Sequence, residues 1–265
     1  MRESKAGAFE LQQTIDAWDS DYYHPIAERY YDQAVPRMLE LLGTKPGDTV
    51  LDAGCGPGVH AIRAARAGLK VKAIDISETM LAEARRRVQR AGVDDSVEFA
   101  REDLTCLSFP DGTFRHVFSW GVIIHIRDIE RALDELIRIV APGGRLALYV
   151  TNASAWDHKL EALARFLIRK PLRGLEQLPM GQGIWYDWQG ERLWVWRIEA
   201  RALTRHVEAQ GMRRIARVVG EFSEIQKRVR GPLRHWLLQG NNLAYRLRLP
   251  PGPASSNLFI FEKMR

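Results

Sequence analysis

The sequence has very little cysteine, with only Cys55 and Cys106 among its 265 residues. Two thiols cannot build a disulfide framework and do not have the spacing of a zinc site, so we expect both to be free and expect no bound metal. The sequence also contains no run of about 18 apolar residues, and its first residues lack the apolar segment of a secretory signal. These absences exclude disulfide-stapled and membrane-spanning classes, and they predict a cytoplasmic protein without a transmembrane segment.

Apolar residues make up 46% of the chain, which is enough to bury one substantial core, and the formal net charge is +6. The positive charge is concentrated in residues 225–250, which contain Lys and Arg but no acid. Such a stretch either forms a solvated helix face with cationic side chains or attracts an anion. Both interpretations remain open at the level of sequence.

Short apolar runs alternate with helical patterns from residue 48 onward. Ser77 is a typical N-cap residue, the apolar positions after it recur on one helical face, and Gly92 ends that pattern. Repetition of this unit predicts an α/β fold, with a mostly parallel sheet and helices on both of its faces. We predict seven strands, at residues 49–53, 70–74, 97–101, 116–120, 145–150, 215–219 and 258–261.

Two segments interrupt this alternation, residues 151–200 and 222–256. Structureless connections of that length are uncommon, so we predict insertions with helices of their own. The first contains five of the eight tryptophans, which form either an aromatic cover over a pocket or a small satellite core. We therefore expect a single domain composed of a helical cover (1–47), a cofactor-binding core (48–150), a lid insertion (151–200) and a C-terminal half (201–265) that includes the helical insertion 222–256.

The strongest local signal is Val-Leu-Asp-Ala-Gly-Cys-Gly-Pro-Gly at residues 50–58, between a predicted strand and a predicted helix. Glycines allow the backbone to turn sharply and to approach a ligand closely, and the next helix offers unpaired N–H groups. A dinucleotide-binding loop would require its third glycine at position 59, whereas this sequence has Gly58. The spacing therefore disfavours a nicotinamide cofactor.

This segment resembles the class I S-adenosylmethionine-dependent methyltransferases, in particular their small-molecule group, and the resemblance extends over residues 50–150. It implies a Rossmann-like sheet and S-adenosylmethionine as cofactor. In that family the glycine loop surrounds the methionine part of the cofactor, and the acid that ends the second strand, here Asp75, accepts hydrogen bonds from both ribose hydroxyls. A carboxylate has two acceptor oxygens and so suits a vicinal diol. The loop positions that match are Asp52, Gly54, Cys55 and Gly56.

The resemblance also assigns roles beyond the glycine loop. Asp103 would bind the adenine amino group, and Leu104 would supply a backbone N–H. Ile76 and Met80 would enclose the ring, and Trp120 and Gly121 would border the methionine moiety. Helix-core packing is an alternative role for Met80. His125 would face the transfer region as the candidate general base, although capping or packing beside the cofactor loop is the commoner role for an isolated histidine. Candidate acceptor-binding residues are Tyr23, Tyr30, Trp185 and Trp188.

These observations predict an enzyme that transfers a methyl group to an O-, N- or C-nucleophile of a small molecule, by in-line displacement with proximity as the main catalytic effect. The alternatives are an RNA or protein methyltransferase that uses the basic segment 225–250, and a cofactor-binding module without catalysis. Nucleic acid is disfavoured, since neither an Asn/Asp-Pro-Pro-aromatic sequence after the fourth strand nor a Pro-Cys nucleophile is present. No motif indicates an oligomeric state.

Overall fold

The computed structural model describes residues 7–21, 25–170, 174–188, 190–227, 229 and 231–265. No helix within these ranges has the length and apolar character needed to cross a membrane. The α-helices are α1 (Gln12–Asp21), α2 (Pro25–Leu42), α3 (Val59–Arg66), α4 (Glu78–Arg90), α5 (Ile129–Ile139), α6 (Trp156–Leu167), α7 (Ala200–Ala209) and α8 (Pro232–Arg246). The strands are β1 (Thr49–Ala53), β2 (Lys70–Asp75), β3 (Val97–Arg101), β4 (Phe114–Trp120), β5 (Val140–Thr151), β6 (Glu176–Leu178), β7 (Gly181–Trp188), β8 (Glu191–Ile198), β9 (Met212–Val219) and β10 (Ser256–Lys263).

A seven-stranded sheet with the order β3-β2-β1-β4-β5-β10-β9 organises the described residues. Strands β1 to β5 are parallel to their neighbours, whereas β10 is antiparallel to both β5 and β9. The carboxyl ends of the first five strands therefore meet at one edge, and the strand order reverses between β1 and β4. In open α/β sheets, ligands bind in the crevice outside such a reversal point. The predicted α/β architecture with seven mostly parallel strands is confirmed.

Apolar side chains pack on both faces of the sheet, as alternation along its strands requires. In β1, Val50 belongs to the cluster that contains α2, α3 and α4, whereas its neighbour Leu51 belongs to the cluster that contains α5 and α7. Both side chains are fully buried. The result is a three-layer arrangement that holds the carboxyl ends of the central strands in place.

The structure corrects the prediction that the first insertion is helical. Only its start forms a helix, α6, and residues 176–198 form a three-stranded antiparallel sheet in the order β6-β7-β8. Trp185 lies opposite Trp194 in this sheet, and cross-strand aromatic pairs of this kind stabilise strands. A Cβ on Gly183 would lie 1.9 Å from the ring of Trp194, so the absence of a side chain there lets the indole pack flat against the strand. The second insertion does contain a helix, α8, as predicted.

Candidate active site

The loop between β1 and α3 adopts a conformation that depends on its glycines. Gly54, Gly56 and Gly58 have φ angles of 86°, 50° and 80°, in the left-handed region that side chains disfavour. A Cβ on Gly54 would also lie 2.4 Å from Val122, in the segment after β4. The backbone N–H groups of Gly54 and Cys55 both donate to the carbonyl of Ile74, at 2.8 Å. The loop is thereby held against the end of β2, with Cys55 buried.

Asp75 lies at the end of β2 and connects to this loop directly. Its Oδ2 accepts from the backbone N–H of Gly56 at 2.8 Å, and its Oδ1 accepts from that of Ser77 at 2.9 Å. Desolvation raises the pKa of Asp75 above its usual value, and the hydrogen bonds from Ser77 and Gly56 offset only part of that increase. Each carboxylate oxygen has a second lone pair, so Asp75 can accept further hydrogen bonds from a ligand.

Asp52 is the more deeply buried acid of the loop, with 1% of its surface exposed. Desolvation raises its pKa well above the usual range, and the negative charge of Asp75 adds to that effect. Its Oδ2 is buried and has no hydrogen-bond partner among the described residues. A buried oxygen of this kind is stabilised by a cationic or hydrogen-bonding ligand.

The residues predicted to surround a ring lie along the edge formed by β2 and β3. Arg101 donates from Nε to the carbonyl of Ile76 at 3.0 Å, which joins the ends of the two strands. Asp103 Oδ1 accepts from the backbone N–H and hydroxyl of Thr105, at 2.8 and 2.7 Å. Leu104 is buried, and Met80 is 1% exposed within α4. The structure thus places Ile76 and Asp103 at the cleft edge, whereas the burial of Met80 favours the helix-core role.

Trp120 and Gly121 end β4 on the other side of the reversal point. The indole of Trp120 stacks on Tyr149, with ring centroids 4.2 Å apart and an interplanar angle of 7°. Gly121 has a φ angle of 71°, and its N–H donates to the Tyr149 carbonyl at 3.0 Å. His60 and Tyr31 contact the other edges of the indole. Stacking on Tyr149 of β5 therefore holds the Trp120 side chain in place.

His125 lies in the short 3₁₀ turn Ile123–His125 that follows β4. Its Nδ1 is 2.9 Å from the carbonyl oxygen of Trp194, on β8. Because a carbonyl can only accept, Nδ1 carries the proton in this hydrogen bond, and Nε2 holds the lone pair of the neutral ring. The imidazole also lies 5.5 Å from the ring of Phe9, measured between centroids. His125 thus contacts both Phe9 of the N-terminal segment and the sheet β6-β7-β8 (residues 176–198), which we call the lid sheet.

The N-terminal segment contributes residues that the sequence analysis did not select, namely Phe9 and Glu10 of the 3₁₀ helix Gly7–Glu10. Glu10 Oε2 accepts from the N–H and hydroxyl of Thr79, at 3.2 and 2.9 Å, and so satisfies the amino end of α4. Burial raises the pKa of Glu10, but these hydrogen bonds outweigh it and lower the pKa overall. The carbonyl of Phe9 accepts from Ser77 Oγ at 2.8 Å. Nothing in the local sequence signals these contacts, because the partners are almost seventy residues apart.

The predicted acceptor-binding residues are not brought together as a group. Tyr30 is buried against Trp120 and Tyr245, whereas Trp185 packs against Trp194 and lies beneath the Arg192 guanidinium. Tyr23 lies outside the described residues. Trp188 donates from Nε1 to the hydroxyl of Thr14 at 3.1 Å, so it links the lid sheet to the N-terminal segment.

A separate cavity of about 480 Å³ lies at the opposite edge of the sheet, where β4, β5 and β9 begin. Its Lys263 Nζ donates to three backbone carbonyls at the end of α5 and start of β5, and its Arg145 binds Glu262 and the carbonyl of Leu41. These cations already have protein partners. No group of three or more His, Cys, Asp or Glu side chains suited to a metal occurs in the part of the chain that the structure describes.

Comparison with known proteins places the central segment in a family. Residues 50–144 match the family model described as a methyltransferase domain. Residues 50–144 are thus similar to methyltransferase domains. The segment contains the glycine loop, the acids Asp52, Asp75 and Asp103, and the turn that carries His125, so the part of the chain that matches the family model holds most of the geometry described above.

Two curated relatives and one solved structure illustrate the similarity. A methyltransferase named GfsG from Streptomyces halstedii is 34% identical over 163 residues, which is 60% of this chain and 58% of the relative. The 27-O-demethylrifamycin SV methyltransferase of Amycolatopsis mediterranei is 36% identical over 132 residues, covering 49% of this chain and 48% of the relative. The chain thus spans about half the length of these relatives. Geranyl diphosphate C-methyltransferase from Streptomyces coelicolor shares the fold, with a TM-score of 0.59 and 16% identity over 90% of this chain and 81% of that one.

Proposed function

We propose that this chain binds S-adenosylmethionine and transfers its methyl group to a small-molecule acceptor. The arrangement of Asp75 across the glycine loop is the observation that carries the proposal. Its carboxylate is held by the N–H groups of Gly56 and Ser77 at the strand reversal point, with acceptor capacity left on both oxygens. That geometry suits the ribose diol of the cofactor.

The rest of the cleft fits the cofactor in charge and shape. The buried Asp52 oxygen without a partner lies in the segment proposed to hold the methionine moiety, where a cationic ammonium or sulfonium neutralises it. Gly54 and Gly56 have no side chains that would obstruct a ligand at the loop. The Trp18 ring lies 3.7 Å from where a Cβ of Gly56 would be. Trp18 therefore covers the loop in the proposed site, together with Phe9, whose ring centroid is 5.9 Å from that of Trp18.

The cofactor supplies a methyl group on a sulfonium, which is already a good leaving group. The work of this chain is to align the acceptor with that methyl and to exclude water. Phe9 packs against His125 in the turn after β4, and Trp120 is the last residue of that strand, so we infer an acceptor that is partly aromatic or lipophilic. When the acceptor is a hydroxyl, we infer that the neutral imidazole of His125 takes its proton, and the hydrogen bond to the Trp194 carbonyl orients the ring.

Isothermal titration calorimetry with S-adenosylhomocysteine tests the cofactor site without requiring the acceptor. We expect a dissociation constant in the micromolar range for the unmodified chain. Asp75→Ala should weaken binding by about 1 to 3 kcal/mol, since the ribose hydroxyls lose a charged acceptor. Asp95→Ala, which removes an exposed acid outside the cleft, is the matched control and should bind like the unmodified chain. If S-adenosylhomocysteine gives no binding heat while a nicotinamide dinucleotide binds, the proposal is refuted.

A further inference from the structure

Helix α8 presents an apolar row to solvent on the side that is not packed against the protein. Its inner side contacts α2 through Tyr245, whose ring lies against Tyr30, and through Asn242, which bonds to Gln33. The outer row recurs at intervals of three and four residues, the spacing of one helical face. Trp236 has 74% of its surface exposed. The members of the row are Leu233, Trp236, Gly240, Leu243 and Leu247.

Helix α6 carries a second exposed apolar group. Its first turn is held by the buried Asp157, whose Oδ2 accepts from Ser255 Oγ at 2.5 Å and from the Glu224 N–H at 3.0 Å. In the second turn Glu161 pairs with Arg197 of β8, at 3.1 Å. The apolar side chains of the later turns are exposed, and Phe166 has 78% of its surface exposed. Scattered apolar side chains are normal on a surface, but two helices with contiguous exposed groups indicate an interaction site. The exposed members on α6 and just after it are Leu160, Leu163, Phe166, Leu167 and Ile168.

Both apolar groups are accompanied by positive charge. Arg246 and Arg248 flank Leu247, the last member of the row, and both are exposed; residues 225–250 contain no acid. Arg169 and Lys170 are exposed at the end of α6. The two acids of α6 have partners within the protein: Asp157 accepts a hydrogen bond from Ser255, and Glu161 pairs with Arg165 and Arg197. The surface is therefore apolar and cationic at once.

The connection from β5 to α6 and the connection from α8 to β10 meet at the sheet. Residue Thr151, where β5 ends before α6, lies opposite Ser256, where β10 begins after α8. Asn152 donates from Nδ2 to the carbonyls of Gly252 and Ala254, at 2.8 and 2.7 Å, and so ties the two connections together. This point is at the carboxyl end of β5, the edge of the sheet that contains the candidate active site.

We propose that α6 and α8 form a docking surface for an anionic phospholipid membrane. Apolar side chains that enter the acyl boundary, with Lys and Arg at the headgroups, are the features by which amphipathic helices bind such a surface. A second copy of the chain would bring like charges together without acids to pair with them. RNA would neutralise the cations but leave the apolar row in water. Docking would turn the active-site edge of the sheet toward the bilayer, where a lipophilic acceptor is concentrated.

Flotation of the full chain with vesicles tests this surface, and it is done without cofactor so that it does not depend on the proposed activity. We expect binding to vesicles of phosphatidylcholine mixed with phosphatidylglycerol, little binding to phosphatidylcholine alone, and weaker binding as salt is raised. Arg246→Gln and Arg248→Gln should each weaken binding about fivefold. Trp236→Ser with Leu243→Ser should weaken it about tenfold or more, as should Leu163→Ser with Phe166→Ser.

Met264→Ser is the matched control, because Met264 is 60% exposed but lies at the opposite edge of the sheet. It should bind vesicles as the unmodified chain does, and thermal unfolding of each variant checks that the fold is intact. Failure of the unmodified chain to bind anionic vesicles would overturn the proposal. Binding that the apolar variants leave unchanged, or a solution dimer that Leu243→Ser dissociates, would also overturn it.

Discussion

At the scale of single residues, the position of His125 depends on one hydrogen bond. The carbonyl of Trp194 holds Nδ1, which orients the ring and assigns the lone pair of the neutral imidazole to Nε2. A residue on the lid sheet therefore positions a candidate base that lies in the segment similar to methyltransferase domains. Trp194 itself is buried in the main core, so the orientation is set by packing as well as by the hydrogen bond.

For a hydroxyl acceptor, we predict that His125→Ala lowers turnover by roughly 10²-fold while leaving affinity for S-adenosylhomocysteine nearly unchanged. The reason is that the variant loses the proton acceptor but keeps the glycine loop and Asp75. Methyl transfer from labelled cofactor to an acceptor found by screening measures the first quantity, and calorimetry measures the second. His235→Ala, on the exposed side of α8, is the control. A comparable loss of cofactor affinity would assign His125 a structural role instead.

At the scale of elements, the lid sheet divides into a fixed part and a tip. Trp194, Trp196 and Ile198 belong to the main core, and Trp196 donates from Nε1 to the Ile126 carbonyl at 2.8 Å. The adjoining ends of β7 and β8, at residues 186–188 and 191–192, are more exposed, and Trp188 bonds to Thr14 of the N-terminal segment. We call these two strand ends the tip. Thr14 in turn donates to the carbonyl of Ala8 at 2.6 Å. The N-terminal segment and the tip of the lid are thus coupled above the candidate site.

We predict that S-adenosylhomocysteine slows hydrogen exchange in residues 185–192 and 7–14 together, because both close over the same ligand and share a hydrogen bond. Residues 194–198 should be protected already in the free protein. Hydrogen exchange followed by mass spectrometry measures the three segments in one experiment. Trp188→Phe removes the indole N–H but keeps an aromatic ring. In this variant the ligand should no longer slow hydrogen exchange in the two segments together. If the tip is fully protected without ligand, the lid is a fixed scaffold.

At the scale of the whole molecule, Asp52 couples stability to pH. Its folded-state pKa is raised by burial first and by Asp75 second, so the folded protein binds a proton that the unfolded chain releases near pH 4. The free energy of unfolding therefore falls as pH rises from the unfolded pKa through the raised folded pKa. Below that window Asp52 is protonated in both states and imposes no charge penalty.

We accordingly predict that the Tm of Asp52→Asn rises relative to the Tm of the unmodified chain as pH increases. The difference between the two Tm values should grow by at least about 2 °C between pH 5 and pH 8. Asparagine has nearly the same side-chain shape as aspartate but has no carboxyl group to titrate. Calorimetric unfolding across this range supplies the measurement, and Asp95→Asn serves as the exposed control. Tm profiles that stay parallel for the two proteins would show that Asp52 does not titrate differently on folding.

Sequence alone determined the features that arise within a few residues of one another. Alternation in β1, the glycines at 54, 56 and 58, Asp75 at the end of β2, and the Ser77 cap, which accepts from the Met80 N–H at 3.1 Å, all depend on local backbone preferences. These preferences act on neighbouring positions whatever the rest of the chain does. The order of the elements then restricted the fold to a mostly parallel α/β sheet.

Only the tertiary structure decided which distant segments meet at the site. Glu10 bonds to Thr79, Trp188 to Thr14, and the Trp194 carbonyl to His125, across separations of 69, 174 and 69 residues. Such pairs form because whole elements compete to bury their apolar faces, and no local pattern records the outcome. For the same reason residues 176–198 became a sheet: their tryptophans are stable on strands only because a core exists for them to cover.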